Sequence, residues 1–290
     1  IAEVTKLPAA QLICGAGSDE LIGMLVHAYA GTGDEVLYSQ HGFLMYKIYA
    51  LANGATPLTA PEKNLYADVD ALLAAVTPRT KILFLANPNN PTGTLIPFSE
   101  VRRLRAKLPA NIILGLDAAY AEYLEGEDDG RSLVSEGTNT VVFHTFSKIY
   151  GLPAVRLGWA FAPAHIIDVM NRVRSPFNVT APALAAGVAA IRDVAYVDKM
   201  RSVNETERTR VAQSIAQKGF EVVPSVTNFI LVKFGAVADA ANKFLTSRGL
   251  IVRDVVAYGL PEYLRISIGT TEENDLLLAA LSDFTKAHAA

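Results

Sequence analysis

A chain of 290 residues with 51% apolar and 19% charged side chains can bury a large core and divide into two domains. Its formal net charge of −3 leaves no basic surplus to neutralise phosphates, which argues against nucleic acid as a partner. No apolar run approaches the roughly 18 residues of a membrane span, and no secretory signal is visible. The single cysteine, Cys14, cannot form an internal disulfide, so a reducing compartment, the cytoplasm, is expected.

From about residue 12 to 165, short β-branched and aliphatic runs alternate with stretches of helical period, the pattern of a mostly parallel sheet flanked by helices in an α/β fold. The expected strands are Glu35 to Tyr38, Ala55 to Leu58, Lys81 to Ala86, Asn111 to Leu116, Thr140 to His144 and Leu157 to Ala162. Their continuous apolar character predicts burial on both faces. Helices are expected to begin near Ser18, Phe43, Asp68, Ser99 and His165, several of them with a capping side chain. Residues 181–218 carry charges at helical spacing and predict one or two long helices linking two domains. After Gly219, strands at Glu221 to Val223, Phe229 to Phe234 and Leu264 to Ile268 alternate with helices at Val237 to Ser247 and Glu272 to His288. That pattern predicts a smaller C-terminal α+β domain over 219–290, after a large domain over 1–180.

Three candidate features fall at or just after the C-terminal ends of expected parallel strands, where open α/β sheets place their ligands. The first is the loop Asn87 to Gly93, a turn by composition, in which the Asn90 amide could bond a ligand. In the second, Asp117-Ala118-Ala119-Tyr120, the carboxylate is either a helix cap or a functional group. The third is Thr145-Phe146-Ser147-Lys148, followed by Gly151 and Arg156. A lysine flanked by hydroxyls at a strand tip could attack a carbonyl once deprotonated, and Ser147 and Arg156 are suitable phosphate donors. A fourth feature, Gly15 to Glu20, offers the amides of Ser18, Asp19 and Glu20 at a helix N-terminus, a setting that favours anions. As a dinucleotide fingerprint it fails, because Glu20 replaces the third glycine and the next strand ends in Tyr38-Ser39-Gln40 without an acidic residue. The histidines His27, His41, His144, His165 and His288 show no metal-ligand spacing.

In this order and spacing, Gly17 to Glu20, Asn87 to Gly93, Asp117 to Tyr120, Thr145 to Lys148 with Arg156, and Leu264 to Thr270 resemble the class I/II aminotransferases of fold type I. Within them the chain is most similar to the histidinol-phosphate aminotransferase group. The resemblance covers essentially the whole chain. It implies pyridoxal 5′-phosphate as cofactor, bound covalently by Lys148, with Asp117 against the pyridinium nitrogen and Asn90 and Tyr120 near the 3′ oxygen. Phe43 would stack on the ring, although the family more often has tyrosine there, with proline where this chain has His41. Ser18, Asp19, Glu20, Thr145, Ser147 and Arg156 would hold the cofactor phosphate. Arg265 and Arg253 would bind substrate, and Tyr46 would contribute to its selection.

The implied reaction moves an amino group from histidinol phosphate to 2-oxoglutarate, giving imidazole acetol phosphate and glutamate. An aromatic aminotransferase acting on phenylalanine or tyrosine, or an enzyme like threonine-phosphate decarboxylase, would use the same motifs. A homodimer is implied, as is an N-terminal arm preceding Ile1 whose tyrosine reaches the partner's cofactor. A ligand-sensing regulator with this fold would need a DNA-binding segment, and none is visible.

Overall fold

The computed structural model describes residues 1–126, 128–137 and 139–287; His288 lies outside them. In chain order the strands are β1 (Leu12–Gly15), β2 (Glu35–Ser39), β3 (Thr56–Ala60), β4 (Glu62–Lys63), β5 (Tyr66–Ala67), β6 (Thr80–Ala86), β7 (Ile113–Asp117), β8 (Thr140–Thr145), β9 (Gly158–Phe161), β10 (Glu221–Val223), β11 (Phe229–Lys233), β12 (Arg253–Asp254) and β13 (Tyr263–Ser267). Among the described residues, seven form a sheet ordered β1-β9-β8-β7-β6-β2-β3. The strands from β8 to β3 run parallel, and β9 runs antiparallel to both its neighbours.

Alternation along the strands sorts their side chains between two cores. Ile82 and Phe84 of β6, Ile113 of β7, and Val141 and Phe143 of β8 pack with helices Ser18–Tyr29 and Ala164–Val173. Leu83, Leu85, Leu114, Leu116 and Val142 pack on the other side, with helices Val69–Ala74, Phe98–Lys107, Arg131–Ser135 and Ala181–Arg192. Covering both faces produces the unbroken burial of β2, β7 and β8, whereas β3, at the edge of the sheet, is only partly buried against the expectation for it. It also sets the face of Asp117, which lies two residues beyond Gly115 and four beyond Ile113 on β7.

The smaller sheet is antiparallel, ordered β10-β11-β13-β12, and its core takes in helices Val194–Ala216, Ala238–Ser247 and Thr271–Ala287. The expected long helical segment is two helices meeting at Asp193. The first adds Ala183 and Ile191 to the large sheet's core, while the second adds Val211 and Ile215 to the small sheet's core.

Two expectations need correction. β1 was absent from the expected strands, because four residues ending in glycine carry little periodic signal. Side-chain capping is confined to Asp68 among the five expected helix starts: the helices at Ser18, Leu44, Phe98 and Ala164 follow Gly17, Phe43, Pro97 and Pro163 with no side-chain cap. Proline fixes φ near its helical value and needs no donor, so it can open a helix unaided.

A buried arginine anchors the strands that matter most. Arg105, in the last turn of helix Phe98–Lys107, donates through Nη1 to the carbonyls of Ile112 (2.8 Å) and Asn139 (3.2 Å), and through Nη2 to those of Leu108 and Pro109 (both 3.0 Å). One guanidinium thereby satisfies the helix C-terminus and ties down the residues entering β7 and β8. Arg105→Met, similar in length but without donors, strands these carbonyls. Chemical denaturation is expected to show a loss of about 3 kcal/mol, and an unchanged midpoint would contradict this anchoring role.

Candidate active site

At the C-terminal ends of β6, β7 and β8 opens a cavity of about 300 Å³. It is lined by Ser18, Asp19, Phe43, Ala86, Pro88, Asn90, Asp117, Ala119, Tyr120, Thr145, Ser147, Lys148, Pro153 and Arg156. Parallel strands end together, so residues distant in sequence converge there.

One end is built for an anion. Helix Ser18–Tyr29 begins beside the cavity, with its free amides and the positive end of its dipole. A Cβ on Gly158 would lie 2.3 Å from Ser18 N and 2.5 Å from the Gly17 carbonyl carbon, so glycine alone lets β9 run this close to the turn. Arg156 donates through Nη1 to Ser147 Oγ (3.2 Å) and the Pro153 carbonyl (2.9 Å), and through Nη2 to the Ala16 carbonyl (3.3 Å). It straps three segments together beside the hydroxyls of Ser18, Thr145 and Ser147, a set suited to a phosphate.

The other end pairs a carboxylate with an amine. Asp117 is buried; its Oδ1 accepts from the Ala119 amide (3.1 Å) and its Oδ2 from the Tyr46 hydroxyl (2.8 Å). Burial pushes the carboxyl up from its ordinary pKa, against the pull of the Tyr46 and Ala119 donors and of the Lys148 charge. A cationic ring nitrogen opposite it would restore the charged form. The Lys148 amine lies 5.1 Å from the centre of the Tyr120 ring. Burial first, and the Arg265 guanidinium second, lower its pKa, opposed by Asp117. A lysine so placed becomes a neutral nucleophile more readily than an exposed one. Asn90 Oδ1 accepts a hydrogen bond from Arg265 Nη1, which reaches across from β13, and the same guanidinium sits 4.8 Å over the Phe229 ring.

Most of the residues singled out in the sequence therefore meet in one cavity. Four do not line it, among them Arg265, which instead bonds the lining residue Asn90. Glu20 turns its carboxylate to the Ala16 amide (2.6 Å) and the Asn178 side chain (2.8 Å), so only its backbone remains available to an anion. Arg253 is exposed on β12, where it pairs in register with Arg265 of β13. Tyr46, expected to help select substrate, is fully buried beneath Phe43 and bonded to Asp117, and it is not among the residues lining the cavity. The sequence reading missed the Ala119 amide, although an aspartate followed by two small residues is the usual setting of such a local turn. It also missed the His41 anchor: Glu62 accepts from His41 Nδ1 (2.7 Å) and from the His41 amide (3.0 Å), fixing the loop that carries Phe43. No local signal links two residues 21 positions apart.

The family model for aminotransferase class I and II matches residues 2–281. A histidinol-phosphate aminotransferase of Paramagnetospirillum magneticum is 59% identical over 287 residues, covering 97% of this chain and 79% of the relative. One from Rhodopseudomonas palustris is 54% identical over 280 residues, covering 94% and 77%. Among solved structures, histidinol-phosphate aminotransferase from Sinorhizobium meliloti in complex with pyridoxal-5′-phosphate aligns with a TM-score of 0.91 at 29% identity, covering 99% of this chain and 79% of that one.

The electrostatics of Lys148 can be read directly. Acetylation of cofactor-free protein, followed by mass spectrometry across a pH series, should show Lys148 reacting with a midpoint below that of an exposed lysine. Arg265→Met should move this midpoint upward, because removing a neighbouring positive charge favours the protonated amine. An ordinary midpoint unaffected by Arg265→Met would refute the coupling.

Proposed function

This chain belongs to the class I and II aminotransferases, and from that premise we propose that it carries pyridoxal phosphate on Lys148 and transfers the amino group of histidinol phosphate to 2-oxoglutarate. The observation that carries this reading is the convergence of the Lys148 amine, the Asp117 carboxylate and an arginine-hydroxyl anion cradle in one cavity. Residues 1–180 would form the cofactor-binding domain, 181–218 the linking helices and 219–290 the smaller domain. A homodimer fits the apolar side chains of Ile48, Leu51, Phe177, Leu184 and Val188, which lie exposed.

When bound, pyridoxal phosphate supplies an electron sink for the pair left when a proton leaves the donor carbon. The protein's part is positioning and proton transfer. Ser18, Thr145, Ser147 and Arg156 would hold the phosphate, with the amides at the start of helix Ser18–Tyr29. Phe43 would cover the ring face, and Asn90 and Tyr120 would contact its oxygen. Asp117 would keep the ring nitrogen protonated. Lys148 Nζ would take the proton from the donor carbon, a role that its lowered basicity suits.

Substrate choice rests on two arginines. Arg253 and Arg265 are register partners on β12 and β13, and a phosphate dianion would have acceptors enough for both guanidiniums. This favours a phosphorylated amine over phenylalanine or tyrosine.

Three measurements test the proposal. Purified chain mixed with pyridoxal phosphate should become coloured, and borohydride should bleach it; Lys148→Ala should stay colourless. Half-reaction absorbance should show histidinol phosphate reacting faster than phenylalanine, and no response to histidinol phosphate would overturn the substrate assignment. Arg253→Ala should lower kcat/KM for histidinol phosphate by about 10- to 100-fold while leaving glutamate less affected.

A further inference from the structure

We propose that Tyr46, buried and not lining the cavity, is a positioning residue that fixes the orientation and charge of Asp117. This deepens the proposed function and rests on it where it concerns the cofactor ring.

Tyr46 is held rigidly. Its ring stacks on Phe84 (centroids 4.6 Å apart, planes 6° apart), with Phe43 and Tyr38 edge-on at 5.9 Å each. The room for that stack comes from β7: a Cβ on Gly115 would fall 2.5 Å from the Phe84 ring. Gly115, two residues before Asp117, therefore seats Phe84, and Phe84 seats Tyr46. Phenylalanine would fill the same apolar space. A fully buried hydroxyl costs stability unless it is bonded, and the partner it has is Asp117 Oδ2.

The direction of this bond is fixed by charge. Burial and the neighbouring Asp117 carboxylate both raise the Tyr46 pKa far above its ordinary value, so the tyrosine remains a donor. Asp117 Oδ1 is held in turn by the Ala119 amide, leaving the remaining lone pairs of the carboxylate for the cavity. The charged groups acting on Asp117 are Lys148, on the cavity side, and His144, the penultimate residue of β8. Tyr46 adds a neutral donor whose strength does not depend on substrate or cofactor. Phe43, three residues earlier, lines the cavity, so a single helix start supplies both the ring cover and the carboxylate support.

The test uses the full chain carrying Tyr46→Phe, which keeps the ring stack and removes only the hydroxyl. Carbon-13 NMR of labelled aspartate in cofactor-free protein, with Asp117 assigned through Asp117→Asn, should show its titration midpoint rising by about one pH unit. Incorporation of 3-fluorotyrosine at position 46, a stronger donor of nearly the same shape, should lower the midpoint instead. In the loaded protein, Tyr46→Phe should weaken pyridoxal phosphate binding about 10-fold and shift the pH midpoint of the visible band. An Asp117 midpoint that is the same in wild type, Tyr46→Phe and the fluorinated protein overturns the proposal, whether or not wild type binds the cofactor. If wild type shows no cofactor binding but its Asp117 midpoint follows the donor, the functional reading fails and the Tyr46–Asp117 coupling stands.

Discussion

A carboxylate taken out of water must be met by donors or by positive charge, and Asp117 is met by both. The Ala119 amide and the Tyr46 hydroxyl each occupy one oxygen, while the Lys148 amine lies near enough to influence its ionisation. Burial makes this charge costly, and a cationic ring nitrogen in the cavity would relieve that cost. The site is thus electrostatically prepared for a protonated pyridine before any such ring arrives. The same burial lowers the basicity of Lys148, so carboxylate and amine are tuned together by one environment.

The fold makes such burial possible by covering both faces of the sheet. Asp117 ends β7 and Thr145 ends β8, and Arg105 ties down the residues entering both strands by bonding the carbonyls of Ile112 and Asn139. The smaller sheet closes the other side of the site: Arg265 reaches from β13 to Asn90, and Phe229 of β11 meets the Tyr120 ring edge-on at 5.3 Å. A substrate anion bound by Arg265 would compete for that guanidinium with Asn90.

Much of this was legible in the sequence. Asp117 and Lys148 follow strong apolar runs, and strand-tip location is a property that a linear reading can capture. The anion end was legible because glycine, serine and arginine carry their chemistry openly. Tyr46 was misplaced for a different reason. The family resemblance implied a role in substrate selection, but the helix begins at Leu44 and turns Tyr46 inward beneath Phe43. The partner that gives it a role lies 71 positions away, on a strand whose facing side is set by the packing of Phe84 against Gly115. The clamp between His41 and Glu62 was hidden likewise, since it joins separate segments. Long-range pairings of this kind are set by tertiary packing, which local propensity does not encode.

The proton on the cofactor's ring nitrogen is the most direct witness to the role of Asp117. With pyridoxal phosphate labelled with nitrogen-15 in the ring, the NMR shift at neutral pH should be that of a protonated nitrogen in the wild-type chain and of an unprotonated one in Asp117→Ala. A neutral ring nitrogen in the wild type, or a protonated one that persists without Asp117, would contradict the assignment.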